Sequence, residues 1–460
     1  MSILNTLKEQ LSCEPLSSAT HLVVAYSGGV DSHVLLHALH SVLQEAQFSF
    51  ELSAIHIHHG LSQHADQWQT HCQQVCADLH IDFQTANVSV EVVSRQSLEA
   101  QAREARYNKL VALAPANSQV LLGQHQDDQL ETFLLQLKRG AGPKGLSSMN
   151  RTWNVQCPLQ SDKKVGFYRP LLDSSQQVIW DYALQHKLQW CEDESNQNTD
   201  FERNFLRHDV LPVLQGRWPE ISRSVARSAT LCAEQQSLLD ETCAEKLKQI
   251  RASVYSLHLP ALKQLSQSWL HQIVRYWLSE LGMQNPSLAV LSRLTPDLLE
   301  AAEDSTPILQ WNTWQFRRFD QQLFVINVPV KHNAYSKEWL GEEKIQLPDG
   351  LGGLLFSKSV KTPVDGKSQI TIDPALGAVV IRLGGYGAKF KPAGADHSKP
   401  VKQWFKQWKI APWLRESVVF ILQNEKVLAL IIEERLHPGQ SAQCQNENDF
   451  LVSLRLENTL

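Results

Sequence analysis

The chain has 460 residues, of which 43% are hydrophobic and 20% charged, and this composition excludes a disordered or fibrous protein. Because a single core stops growing at about 250–300 residues, we expect two to four domains. The net charge of −5 argues against a chain that binds nucleic acid over its whole surface, so any such binding must use a local basic patch.

The N-terminus MSILNTLKEQ has no basic segment followed by a long apolar run, and no stretch approaches the roughly 18 apolar residues of a membrane span. A cytoplasmic protein without membrane contact is expected. The eight cysteines are scattered along the chain, which favours reduced thiols over a disulfide framework.

Short apolar runs alternate with amphipathic stretches over the first 214 residues, beginning with HLVVAY, VLLHALHSVL and FELSAIHIH. This alternation predicts an α/β fold with a doubly wound parallel sheet covered by helices. Residues 1–214 are therefore predicted to form the first domain, and it is the one expected to carry the chemistry.

The remaining sequence predicts two further domains. Apolar residues at helical spacing indicate a mainly helical middle domain over residues 215–335, although its last part, WNTWQFRRFDQQLFVINVPV, is β-like. Short strand-like runs separated by Gly, Pro and Asn predict a small α+β domain over residues 346–460.

A six-residue loop follows the first predicted strand and precedes a helix; it consists of Ser27, Gly28, Gly29, Val30, Asp31 and Ser32. Two glycines let backbone N–H groups face an anion closely, and the helix N-terminus favours negative charge. Asp31 supplies a carboxylate that could hold Mg²⁺ on bound phosphates. The alternative is a capped Gly-Gly turn that binds nothing. A Walker A loop is excluded because no Gly-Lys-Ser/Thr follows.

A second polar cluster follows the predicted strand SQVLLGQH and contains His125, Asp127, Asp128 and Glu131. Such a set suits Mg²⁺ binding, recognition of a cationic amine, or removal of its proton. Helix capping is the alternative, since acids are favoured in a first helical turn. Capping accounts easily for one acid and poorly for three.

The loop Ser-Gly-Gly-Val-Asp-Ser resembles the signature of the PP-loop ATP pyrophosphatases, and further motifs resemble one family among them, the tRNA(Ile)-lysidine synthases. In chain order these motifs are HIHHGL at 56–61, EAQAREARY at 99–107, GQHQDDQLET at 123–132, KRGAGPKGL at 138–146, RPLL at 169–172, EDESN at 192–196 and RNFLR at 203–207. One departure is Gln124, where many members of that family have a second histidine.

The resemblance implies a reaction and its partners. ATP, with Mg²⁺, adenylates C2–O of the wobble cytidine in tRNA(Ile) with a CAU anticodon, and the side-chain amine of free L-lysine then displaces AMP. A second copy of the chain, in a homodimer, is a further candidate partner.

The resemblance also implies roles for individual residues. Residues 27–32 together with His56 and His59 would bind ATP, while Asp31 and Asp127 would place Mg²⁺. Asp128 and Glu131 would bind and deprotonate the lysine amine, with either acid as the base. Catalysis would rest on Asp31, Asp128, Glu131 and Arg103. The remaining substrate contacts would come from His125, Asp127, Arg106, Asp193, Arg203 and Arg207.

The C-terminal domain contains the local basic patch that RNA binding requires. Between Arg382 and Arg415 there are eight basic residues and one acid, a local charge of +7. Clustered cations neutralise phosphates, so we expect tRNA contacts from Lys389, Lys391, Lys402 and Lys406. The interleaved Trp404, Trp408 and Trp413 are expected to pack in a core.

Three other functions are weighed against this one. An ATP-dependent tRNA thiolase usually needs a reactive cysteine or a Cys-x-x-Cys pair, and the sequence has no such pair. A free-standing amide ligase or amidotransferase would not need the basic C-terminal patch. A non-catalytic tRNA-binding protein would not need the acidic cluster.

Overall fold

The structure is a computed structural model that describes residues 2–45, 48–58, 64–88, 98–156, 163–302, 305–329, 333–348, 351–358, 369–372, 377–385, 387–433, 435–440 and 450–453. Contacts divide the chain into two compact units, Met1–Glu241 and Thr242–Leu460. The division falls within a long helix, Ile221–Ile250.

A six-stranded sheet forms the centre of the first unit. Its strands are β1 (His21–Ala25), β2 (Glu51–His58), β3 (Asp82–Asn87), β4 (Ser118–Leu121), β5 (Thr152–Gln156) and β6 (Lys164–Tyr168). The spatial order is β3-β2-β1-β4-β6-β5. All neighbours are parallel except β5, which is antiparallel to β6 at the edge. The predicted parallel-sheet α/β domain is confirmed, and the antiparallel edge strand is an addition to it.

Helices cover both faces of this sheet. They are α1 (Ile3–Leu11), α2 (Val30–Glu45), α3 (Ala65–Asp78), α4 (Leu98–Leu113), α5 (Gln126–Lys138), α6 (Pro143–Leu146), α7 (Gln176–Gln185), α8 (Glu202–Phe205), α9 (Leu211–Arg217) and α10 (Ile221–Ile250), with a 3-10 turn at Glu194–Gln197 and a π-helical turn at Leu206–Val210. Because side chains alternate along a strand, Leu22 and Val24 of β1 join the core that contains α2, whereas Val23 and Ala25 join the core that contains α4.

The chain reverses direction across the sheet next to β1. From β1 it continues to β2 and β3 on one side, whereas β4 and β6 lie on the other side. Loops at the carboxyl ends of β1 and β4 therefore lie next to each other, at the place where open α/β sheets bind ligands. A Cβ atom on Gly123, after β4, would lie 3.0 Å from the backbone carbon of Asp31 and 3.0 Å from the backbone nitrogen of Ser32. Only glycine allows the two loops to approach so closely.

The second unit begins with an antiparallel sheet and short helices. The strands are β7 (Arg251–Ser253), β8 (Ser256–His258), β9 (Ile308–Trp311), β10 (Trp314–Phe319) and β11 (Gln322–Asn327), in the order β7-β8-β11-β10-β9. The helices are α11 (Leu259–Lys263), α12 (Gln267–Glu280) and α13 (Leu288–Ser292), followed by a π-helical turn at Leu294–Leu299. The prediction of a mainly helical region is therefore incomplete. Strands β7 and β8 have three residues each, too few to show an alternating pattern.

The end of the chain contains further antiparallel sheets. Its elements are β12 (Ser336–Trp339), β13 (Lys344–Gln346), β14 (Gly353–Leu355), β15 (Ser357–Lys358), β16 (Gln369–Ile372), β17 (Val379–Leu383), β18 (Lys389–Phe390), β19 (Lys399–Pro400), α14 (Val401–Gln407), α15 (Pro412–Arg415), β20 (Val419–Gln423), β21 (Lys426–Ile432), β22 (Arg435–Pro438) and β23 (Phe450–Ser453). The main sheet has the order β12-β17-β20-β21-β22. No helix in the described part of the chain is long and apolar enough to cross a membrane.

Gly123→Ala tests the close approach of the two loops. The added methyl group must push backbone atoms of residues 31 and 32, so we expect a loss of about 1–3 kcal/mol in the free energy of unfolding. Urea unfolding measures it. Gly216→Ala is the control, because its Cβ would meet nothing within 4 Å and alanine is the better helix former in α9. Equal free energies of unfolding for Gly123→Ala and wild type would contradict the conclusion that the two loops require glycine at this position.

Candidate active site

Hydrogen bonds within the loop between β1 and α2 fix the conformation of this loop. Ser27 Oγ lies 3.0 Å from Ser32 Oγ, which in turn donates to the carbonyl oxygen of Gly29 at 3.0 Å. Gly28 has φ +88°, and a Cβ at this position would lie 3.0 Å from Cys72 Sγ. The loop thus combines a left-handed glycine with the N-terminus of α2, as an anion-binding loop requires.

Asp31 places a carboxylate at the start of α2, beside the loop. Its Oδ1 atom is buried and has no hydrogen-bond partner among the described residues. Burial raises the pKa of Asp31 above its ordinary value, against the opposing effect of His125. An acceptor oxygen that is buried without a donor is suited to a cation, so the residues present fit a magnesium ion bound at Asp31.

His125 connects the loop after β4 to Asp31. Its Nδ1 accepts a hydrogen bond from the backbone N–H of Asp127 at 3.2 Å, and Asp128 Oδ2 accepts from the backbone N–H of His125 at 3.0 Å. These reciprocal bonds cap α5. Because Nδ1 accepts this hydrogen bond, the N–H of the ring lies on Nε2. This atom is 3.5 Å from Asp128 Oδ2 and 3.7 Å from Asp31 Oδ1.

Two arginines neutralise the acids of α5. Arg207 donates through its NH2 group to Asp128 Oδ1 at 2.9 Å and to Glu131 Oε2 at 3.0 Å, and its Nε donates to Glu131 Oε1. Arg203 Nε lies 3.2 Å from Glu131 Oε2, and its NH2 group donates to Thr132 Oγ1 at 3.1 Å. The motif RNFLR therefore faces the acidic cluster directly.

The two acids differ in their proton affinity. Burial by itself would raise the pKa of Asp128, but His125 and Arg207 outweigh it and hold the pKa below the ordinary range. Burial raises the pKa of Glu131, more than Arg207 lowers it. Their acidic partners raise the pKa of Arg207, although burial opposes this. The cluster thus keeps Arg207 charged and Asp128 ionised.

In the described part of the chain, Asp127 does not share the arginine partners of Asp128 and Glu131. Its Oδ2 accepts from the backbone N–H of Gln176 at 2.9 Å, and its Oδ1 accepts from Gln215 Nε2 at 2.8 Å and Ser222 Oγ at 2.7 Å. Both carboxylate oxygens thus accept hydrogen bonds that anchor α5 to α7, α9 and α10. Magnesium binding by Asp127 stays a prediction, and this geometry lends it no support.

A cavity of about 520 Å³ opens beside the loop. Among the residues predicted to bind substrates, its lining includes Ser27, Gly29, Asp31, His56, Arg106, Asp193 and Arg207. This volume lies within the ordinary range for small-molecule sites, roughly 300–1,000 Å³. His59 lies outside the described residues.

The remaining predicted residues around the cavity differ in position. The Nδ1 of buried His56 donates to the carbonyl oxygen of Tyr26 at 2.9 Å, which leaves Nε2 as an acceptor. Burial lowers the pKa of His56, in keeping with a neutral ring. Arg106 lines the cavity, whereas Arg103 is exposed and lies over the ring of Tyr107 at 5.6 Å. The two arginines of α4 therefore have different surroundings.

Gln124 takes part in a contact that the sequence reasoning did not predict. Its Oε1 accepts from Arg169 Nε at 3.0 Å, and the buried Arg169 lies 4.2 Å from the ring centroid of Trp153. Arg169 thereby supports the loop that carries His125. The RPLL motif marked this arginine, but nothing in the sequence connected it with Gln124.

The lysines predicted to contact tRNA lie on β18 and α14 or next to them. Strand β18 pairs with β19, which leads directly into α14, so one structural feature places them all. Lys389, Lys402 and Lys406 are exposed and Lys391 is half-buried. Trp404 is buried and donates through Nε1 to the carbonyl oxygen of Phe390 at 2.8 Å. Its predicted place in a core is confirmed.

No group of three or more His, Cys, Asp or Glu residues in the described ranges is arranged to hold a metal ion by itself. A cation at Asp31 would take water and oxygen atoms of a bound phosphate as further ligands. This is the usual way in which Mg²⁺ is bound with nucleotides.

Comparisons with known proteins give matches along most of the chain. Residues 2–214 match the PP-loop domain, residues 257–324 the TilS substrate binding domain and residues 379–445 the TilS substrate C-terminal domain. A tRNA(Ile)-lysidine synthase of Serratia proteamaculans is 39% identical over 93% of this chain and 94% of its own. One of Vibrio vulnificus is 38% identical over 92% and 94%, and one of Edwardsiella ictaluri is 37% identical over 93% and 94%.

Asp128→Asn tests the electrostatics of the cluster. Since the folded pKa of Asp128 lies below the unfolded value of about 3.9, the carboxylate stabilises the fold above that pH, and this contribution is lost as pH falls through the folded pKa. We expect a loss of about 1–3 kcal/mol in the free energy of unfolding at pH 7. The difference in the free energy of unfolding between Asp128→Asn and wild type should become smaller below about pH 4.

Urea unfolding at neutral and acidic pH measures this difference. Asp209→Asn, at an exposed position on the neighbouring π-helical turn, serves as the control and should change the free energy by less than about 0.5 kcal/mol. A difference between Asp128→Asn and wild type that is independent of pH would contradict the account.

Proposed function

The chain belongs to the tRNA(Ile)-lysidine synthase family, and from this we propose which of its residues perform each part of the reaction. It is an ATP-dependent ligase. In the reaction, the C2 oxygen of the wobble cytidine of tRNA(Ile) with a CAU anticodon attacks the α-phosphate of ATP, and pyrophosphate leaves. The side-chain amine of lysine then forms a bond to C2, AMP leaves, and the amine gives up a proton.

The observation that best supports these roles is the meeting of two helix starts beside one cavity. Asp31 at the start of α2 and Asp128 at the start of α5 both lie within 4 Å of His125 Nε2. Asp31 and Arg207 also line the cavity. An ATP bound there has its phosphates at the N-terminus of α2, with acids, a histidine and arginines beside them.

For the adenylation step, we assign the phosphates to residues 27–32 and the adenine side of the cavity to His56. The free Nε2 of His56 accepts hydrogen bonds, and the exocyclic amine of adenine donates them. When bound, Mg²⁺ held by Asp31 would neutralise charge that develops on pyrophosphate. The cation in this assignment is supported by the buried Oδ1 of Asp31, which accepts no hydrogen bond from the residues that the structure describes.

For the lysine step, we assign different roles to Asp128 and Glu131, the two acids of α5 that contact Arg207. Glu131 contacts Arg203 and Arg207 together, so its role is to hold these guanidinium groups near the charge of the leaving AMP. Asp128 contacts Arg207 and also faces His125, and it stays ionised, so we assign to Asp128 the binding of the lysine ammonium. Direct binding of lysine by Glu131 stays a prediction of the sequence.

We further propose that residues 1–214 catalyse the reaction, residues 215–335 help to recognise the substrate and residues 346–460 bind tRNA. The matched substrate-binding and C-terminal domains support this division of labour. A homodimer and a cytoplasmic location stay predictions.

The activity is tested with purified protein, ATP, Mg²⁺, labelled L-lysine and tRNA(Ile) with a CAU anticodon. We expect label in the tRNA that depends on ATP, together with AMP and pyrophosphate. Asp31→Asn should abolish the label in the tRNA and the release of AMP and pyrophosphate, because it removes the carboxylate beside the phosphate loop. Transfer of sulfur or ammonia in place of lysine would overturn the proposed function.

Lys402→Ala/Lys406→Ala tests the C-terminal surface. Each lost phosphate contact should reduce the slope of log K against log salt concentration by roughly 0.7–0.9, with weaker tRNA binding at each salt concentration. Filter binding from 50 to 200 mM salt measures the slope. Lys426→Ala, at an exposed position at the start of β21, is the control. An unchanged slope in the double variant would remove these lysines from the tRNA contact.

A further inference from the structure

Residues 201–207 form a short helical segment whose inner side is fixed to the catalytic cluster. Arg203 and Arg207 contact Glu131, and the buried Asn204 donates through Nδ2 to the carbonyl oxygen of Asn198 at 2.8 Å. Three anchored side chains on one side leave the segment little freedom to rotate.

The same segment exposes two phenyl rings. Phe201 and Phe205 are each 46% exposed, and the backbone N–H of Phe205 donates to the carbonyl oxygen of Phe201 at 3.0 Å. The two rings are thus four residues apart, so they lie on one helical face. Two large aromatic side chains exposed to solvent, one helical turn apart on an anchored segment, are typical of a binding surface.

An ion pair ties the same segment to the end of α5, where basic residues follow one another. Lys138 forms an ion pair with Glu202, the residue that follows Phe201, and this pair joins the end of α5 to α8. Arg139 and Lys144 are exposed on the stretch that follows α5. An aromatic pair next to basic side chains suits single-stranded nucleic acid, whose bases stack while its phosphates meet the cations.

We propose that Phe201 and Phe205 form a stacking platform for the unpaired anticodon nucleotides next to the reactive cytidine. This inference rests on the proposed function. To bring its C2 atom to Asp31 and Asp128, the cytidine must leave the stack of the anticodon loop, and its neighbours then lose a stacking partner. A phenyl ring on the solvent side of the segment that carries Arg203 and Arg207 replaces that partner. The platform thereby lowers the cost of extruding the base.

The test uses the full-length enzyme and tRNA(Ile) that carries 2-aminopurine at the adenine of its CAU anticodon. Phe201→Leu/Phe205→Leu keeps apolar bulk but removes the aromatic faces. We expect the KM for tRNA to rise by roughly 5- to 100-fold, with the KM values for ATP and lysine within about twofold of wild type. The change in 2-aminopurine fluorescence on binding should be lost as well.

Phe201→Trp/Phe205→Trp should restore both the KM for tRNA and the fluorescence change, since tryptophan also stacks. Leu184→Ala, at a position 63% exposed on α7, is the control and should behave as wild type. Equal behaviour of the leucine and tryptophan variants would overturn the platform. So would loss of a homodimer in the leucine variant with unchanged tRNA kinetics, which would make the rings a contact between copies of the chain. Absence of lysidine formation by wild type would instead overturn the proposed function itself.

Discussion

The hydrogen bonds of His125 hold the catalytic centre together. Its ring and backbone cap α5 jointly with Asp128, and the Nε2 atom that remains faces Asp31 at the start of α2. The two helices begin in separate loops, after β1 and after β4, and His125 is the side chain that connects their first turns. The carboxylates that we assign to the cation and to lysine lie on these two helices, and Arg203 and Arg207 contact α5.

The sheet makes this arrangement possible. Strands β1 and β4 are adjacent and parallel, so the loops that follow them lie at the same edge of the sheet. The loops can lie this close because residue 123 is glycine, since a Cβ there would be 3.0 Å from backbone atoms of Asp31 and Ser32. The acids of α5 then attract Arg203 and Arg207, which arrive from a segment more than 70 residues further along the chain. Because Glu131 is buried, loss of its arginine partners would leave an unpaired charge away from water, which is costly.

Much of this could be predicted from the sequence because local patterns carry it. The alternation of strands and helices, the loop at residues 27–32 and the acids after β4 are all short-range features, and the parallel sheet and PP-loop domain are confirmed. The order of motifs in the chain then pointed to one family.

The details that the sequence did not provide depend on side-chain direction and long-range contacts. Asp127 and Asp128 are neighbours, yet successive helical residues point in different directions, so one acid anchors α10 and the other faces His125. Pairing of Glu131 with two arginines, and of Gln124 with Arg169, joins residues that are distant in the sequence. Strands of three residues, such as β7 and β8, leave no periodic signal at all.

The central claim is that the loop at Asp31 serves adenylation while Asp128 serves the attack of lysine. ATP–pyrophosphate exchange in the presence of tRNA(Ile) and the absence of lysine isolates the first step. The account predicts that Asp128→Asn retains this exchange but transfers little lysine, whereas Asp31→Asn shows neither. Loss of exchange in a folded Asp128→Asn variant, or lysine transfer by it at the rate of wild type, would contradict the account.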